Sequence, residues 1–149
     1  MEKGKKVKLN YTHENDYSLI AISLPLSDFQ FSWHLNQKLN FKLAKRDDIV
    51  INENDENTKS FSVYMYYDEL DKLSVILISN KSDQGVLIKD LSNIDFFIRL
   101  SGANHTEVEN TIISTIKEIE SMQLAYKLNF DLLGTRNKNI FLGIFQTFD

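Results

Sequence analysis

The sequence has no cysteine and a single proline, and these shortages narrow its chemistry at once. Without cysteine there is no disulfide framework, no thiolate metal site and no cysteine nucleophile. One proline and five glycines among 149 residues exclude collagen-like and linker-like chains. No apolar run approaches the ~20 residues that a membrane helix needs. The lysine-rich start, MEKGKKVKLN, is not followed by the apolar stretch of a secretory signal. The expectation is therefore a cytoplasmic protein with no membrane contact. Basic charge is also scarce. The net charge is −4, and the one basic cluster is Lys3, Lys5, Lys6 and Lys8. Residues 1–8 are expected to form a solvated, mobile basic terminus. Nucleic-acid binding needs a basic face for phosphates, so that partner class is disfavoured.

Local catalytic motifs are missing too. No GxGxxG, P-loop or GxSxG is present. The histidines, His13, His34 and His105, include no pair at i, i+4 and no HExxH. Asp47 with Asp48, and Asp90 with Asp95, are carboxylate pairs in sequence only, since catalysis needs spatial convergence. The reading therefore names no catalytic residue, no metal ligand and no cofactor.

What the chain does have is a core. Hydrophobic residues make up 42% of it, and its length suits one domain over residues 1–149. DYSLIAISL (16–24) is apolar on both alternating faces, which suits a central strand. Ser27 and Gln30 have capping-box spacing, so a helix opens there. Phe29, Phe31, Trp33, Leu35 and Leu39 cover an arc of roughly 200° on that helix, and Phe29 and Trp33 are expected to pack on the sheet. Asn36 falls inside the arc and must find hydrogen-bond partners. Residues 48–52 suit a short strand with Ile49 and Ile51 inward, and NENDEN suits an acidic loop. SFSVYMYY and KLSVILIS are the clearest strands, joined by a short turn into an antiparallel meander. On the first of them Tyr64 and Tyr66 share a face, as a stacking platform or as cross-strand packing. Thr106 and Glu109 form a second capping-box pattern before Val108, Ile112, Ile116 and Ile119, giving a helix to about residue 121. MQLAYKLN reads as a last strand, and the apolar tail NIFLGIFQTF must pack somewhere. The expected fold class is α+β: an antiparallel sheet of five to six strands with two main helices in β-α-β-β-β-β-α-β order.

Between the meander and the second helix lies IKDLSNIDF, residues 88–96. It resembles the motif that names the IPExxxVDY family of short bacterial proteins, chiefly from the Bacteroidota. Ile88, Asp95 and the spacing match. Asp90, Ile94 and Phe96 stand where the motif has Glu, Val and Tyr, and Lys89 replaces its proline. The resemblance extends over roughly residues 16–145 and implies no activity, substrate or cofactor. Phe96 cannot move a proton, so the motif's tyrosine hydroxyl has no catalytic role here. Asp95 is left as a carboxylate in an apolar strand. It must be paired to stay ionised. Backbone amides of KDLSN or a basic group such as Arg46 are the expected partners. Arg99, about 13 Å along the same face, is too far.

Two function classes follow, with a weaker third. The first is a non-catalytic binding or protein-interaction domain. It would use the exposed face of the meander or an edge strand and could self-associate. The second is a small-molecule binder or enzyme with a pocket between the first helix and the sheet, lined by Trp33, Asn36 and Asp95. The third is an RNA-binding module.

Overall fold

The computed structural model describes residues 17–54 and 57–148. The basic terminus 1–8 and His13 lie outside the described residues. Strand β1 (Tyr17–Ser23) shows why the chain builds three layers. Leu19 and Ala21 point to one face and Ile20 and Ile22 to the other, and all four are buried. A strand apolar on both sides is stable only when both sheet faces are covered.

The other strands are β2 (Ala44–Asn54), β3 (Asn57–Asp68), β4 (Leu73–Ser79), a small hairpin of β5 (Lys81–Ser82) and β6 (Gly85–Val86), β7 (Phe96–Ser101) and β8 (Leu124–Lys127). Five of them join β1 in one antiparallel sheet of order β2-β3-β4-β7-β1-β8, and β5 and β6 pair separately. The main sheet and its first two helices follow the expected β-α-β-β-β-β-α-β order. The meander occupies one side, and β1 slots between β7 and β8. On the central strands β4, β7 and β1 the apolar side chains of both faces are buried. β2 is longer than the five residues expected, and it takes up the first half of the acidic loop. A register shift between Arg46 and Ile49 marks a bulge in it. Gly102, at φ 130°, ends β7 where a side chain would run into the carbonyl of Lys72.

Helices α1 (Asp28–Leu39) and α2 (His105–Ile116) cover one face. α1 starts as expected, with the Ser27–Gln30 capping box formed. Its packing differs from expectation. Phe31 and Leu35 are buried, whereas Phe29 and Trp33 are 68% and 52% exposed. On a 100° wheel Phe31, Leu35, Leu39 and Ser32 span only about 100°, and Phe29 and Trp33 lie well outside that stripe. A helix on a flat sheet buries a stripe of that width, not 200°. Phe31 meets Phe96 with ring centroids 4.9 Å apart.

α2 differs as well. It begins at His105 and has no side-chain cap, so the Thr106–Glu109 box does not form. Glu109 lies a full turn inside and is buried, 3.8 Å from Lys127 Nζ. The helix ends at Ile116, and turns carry Ile119 into the core.

The tail is a third helix, α3 (Thr135–Phe148). Asn137, Phe141, Ile144 and Phe145 recur at i, i+4, i+7 and i+8, and they bury the face opposite α1 and α2. The sequence pattern predicts two main helices, and the fold has three among the described residues. The third supplies the second layer that the doubly apolar strands require.

Candidate functional site

The segment IKDLSNIDF folds around Asn80, which follows β4 and is fully buried. Its amide donates to the carbonyls of Leu91 (2.9 Å) and Ile94 (2.8 Å), and its Oδ1 accepts the Ile88 N–H at 2.8 Å. The backbone amide of Leu87 bonds its carbonyl, and its own N–H bonds Asp95 O. Five hydrogen bonds thus fix a 3₁₀ turn (Lys89–Leu91) that buries Ile88 and Ile94 against the α3 side. Asp90 accepts a bond from Asn137 of α3 at 3.0 Å.

Asp95 has two partners. Its Oδ2 accepts the Leu24 N–H at 2.7 Å, and its Oδ1 lies 2.9 Å from Lys81 Nζ. Neither was the partner named from sequence. Arg46 lies on β2, at the far edge of the sheet, where its Nη1 approaches Met65 Sδ at 3.7 Å. The reason is topological. β7 runs between β1 and β4, so the residue entering it faces the exit of β1 at Leu24 and the residue after Asn80.

A groove of about 490 Å³ opens at this point, between the N-terminal end of α1 and the sheet. Its floor is Ser60, Ser62 and Ser79, with the last two hydroxyls 2.6 Å apart. These serines continue the strand face that carries buried Tyr64 and Leu77 further along, so the sheet there turns from apolar to hydroxyl-lined. Carboxylates of Asp28, Asp48, Asp83 and Asp95 border it, and Lys81 is the one cation in the lining. Of these residues the sequence points to Asp95 as a pocket residue and to Asp48 only as half of a carboxylate pair. The signal for the floor is serine at alternate positions 60 and 62 in a strand of otherwise large side chains.

Trp33 and Asn36 do not line this groove. Asn36 exchanges two hydrogen bonds with the backbone of Leu43, accepting at 2.9 Å and donating at 3.2 Å, and so fixes the turn from α1 into β2. Trp33 sits on the outer flank of α1, one turn from Phe29, with its ring edge-on to His34. Gln30 and Gln37 are exposed on the same flank, which carries no charged residue at these four positions. Asp28, which precedes Phe29 in the chain, borders the groove.

His105, Tyr64 and Tyr66 are held within the packing. His105 Nδ1 lies 2.8 Å from Ser18 Oγ, but Ser18 is 1% exposed and closed to a substrate. Tyr64 is buried against α1, and burial, with Asp28 nearby, raises its phenol above the ordinary tyrosine value. Tyr66 packs on Phe41 with centroids 5.4 Å apart. The tyrosine pair is therefore part of the packing and not a stacking platform. Among the described residues, no group of three or more His, Asp or Glu is placed to hold a metal ion. No described helix is long and apolar enough to cross a membrane.

No family model matches the chain, and no curated protein matches it either.

Proposed function

We propose that this protein is a non-catalytic interaction domain, and that the outer flank of α1 is its contact surface. The observation that carries the reading is the exposure of Phe29 and Trp33 on a helix whose inward stripe is already filled by Phe31 and Leu35. Packing of this domain does not require either ring. Together they leave on the order of 250 Å² of aromatic surface in water. Covering it would yield about 6 kcal/mol before the costs of association. Contact centres are rich in Trp and other aromatics and poor in charge, which matches Phe29, Gln30, Trp33 and Gln37.

The hydrogen-bonding of the motif supports the non-catalytic half of the reading. Asp95 and Asp90 are spent on structural bonds, and Asn80 anchors the turn between them. Membership of the IPExxxVDY family belongs to the same proposal, supported by Ile88, Asp90, Ile94 and Asp95. A cytoplasmic setting is proposed with it, on the absence of cysteine. The acidic groove repels phosphates, so the proposed partner is a protein and not a nucleic acid.

Affinity capture from the native cytosol, read by mass spectrometry, tests this. The parent chain is expected to retain a protein that the Phe29→Ser/Trp33→Ser double variant loses, with the variant still folded by circular dichroism. Identical captures by the two would remove α1 as the contact surface. The groove carries a second reading, a small polar ligand resting on the serine floor beside Asp95. Ligand-observed NMR with the parent and a Ser62→Val/Ser79→Val variant separates that reading from the first.

A further inference from the structure

We propose that the partner presents a basic segment. An apolar side chain of that segment lies on Phe29 and Trp33, and its lysine or arginine side chains enter the groove at the start of α1. This rests on the interaction reading above and adds the chemistry of the occupant. The aromatic flank of α1 is unpartnered, and charge complementarity beside it selects what covers it. Asp28 directly precedes Phe29 and borders the groove. Of the four groove carboxylates, Asp48 is paired with Lys45 at 2.6 Å and Asp95 with Lys81 at 2.9 Å. Asp28 and Asp83 have no ion-pair partner among the described residues. Two carboxylates without an ion pair, of which Asp28 also accepts the Phe29 N–H at 2.8 Å, and a floor of hydroxyl acceptors fit an ammonium or guanidinium group and oppose an anion. An arginine next to the apolar anchor also gains from the face of the Trp33 indole. The groove and the aromatic pair follow each other along α1 within its first two turns, a span that a short extended segment covers.

Trp33 is the only tryptophan, so its emission reports on the flank directly. The probe is a short synthetic peptide of arginine and leucine in a glycine–serine background, titrated into the full chain. Two counterparts carry glutamine or glutamate in place of arginine. The expected result is a blue shift of Trp33 emission with the arginine peptide, and affinity that falls steeply with added salt. Asp28→Asn/Asp83→Asn is expected to weaken binding about tenfold. Glu118→Gln/Glu120→Gln, which removes two exposed charges beyond α2, is expected to leave it unchanged. Equal binding of the glutamine peptide overturns the basic occupant and leaves the interaction reading standing. Equal loss in the Glu118/Glu120 variant overturns it as non-specific charge attraction. No shift with any peptide overturns it as well, and the capture comparison then decides the interaction reading alone. A blue shift of the protein by itself as its concentration rises assigns the flank to a second copy and also overturns it.

Discussion

At the scale of single residues, Asn80 and Asp95 are held by hydrogen bonds to the backbone around them. Asp95 takes the Leu24 N–H and the Lys81 ammonium, one per oxygen. Those two bonds are unequal. Lys81 is about half exposed, so its ion pair contributes at most about 1 kcal/mol. The Leu24 amide is bound where water has poor access, and leaving it without an acceptor costs roughly 1–3 kcal/mol. Asp95→Ala is therefore expected to lower the urea-melt stability clearly more than Lys81→Met does. Equal losses would show that the ion pair, and not the amide, is what Asp95 is for. Tyr64 gives a pH signature. Its folded-state phenol is raised by burial, while the unfolded value is about 10. The stability it lends is fully present below pH 10 and is lost as pH rises through the raised value. Tyr64→Phe is expected to flatten the alkaline limb of the stability curve. An alkaline limb that matches the parent's would show that Tyr64 ionises as freely in the folded state as in the unfolded one.

At the scale of elements, α1 separates surface from core. Phe31→Ala is expected to cost about 3–5 kcal/mol, because Phe31 is fully buried against Phe96. Phe29→Ala and Trp33→Ala are each expected to cost less than about 1 kcal/mol. Urea melts of the three variants check this, and a large loss at Trp33 would place its ring in the core. The same helix shows what sequence could and could not convey. Its start was legible because a capping box is local: Ser27 and Gln30 meet across one turn and need no other element. Its buried width was not, because that width is set by the flatness of the sheet beneath. The second box failed for a related reason. Thr106 and Glu109 have the spacing, but Gly102 and the packing of Glu109 against β8 start the helix at His105. Strand alternation made β3 and β4 readable, and apolar residues on both faces marked β1 as central. The tail's packing partner was not readable, since which sheet face remained open depended on α1 and α2 lying together. Asp95's need for partners was legible from the cost of burying a charge. Their identity depended on strand order, which no local pattern encodes.

At the scale of the whole molecule, three layers leave few surfaces for function. Both faces of the central strands are covered, and the β2 edge is interrupted by a bulge and bordered by Lys45, Arg46, Asp47 and Asp48. Charged, bulged edges resist strand addition, which favours the proposed surface on α1 over the β2 edge. The exposed aromatics Phe29 and Trp33 and the groove residue Asp28 all lie in the first two turns of that helix. Photo-crosslinking in living cells, with a benzophenone amino acid in place of Trp33, tests the central claim most directly. The expected result is a discrete higher-mass adduct at position 33, absent when the same group replaces the exposed Glu120 in the turn after α2. No adduct at position 33, or the same adducts from both positions, would contradict a contact surface on α1.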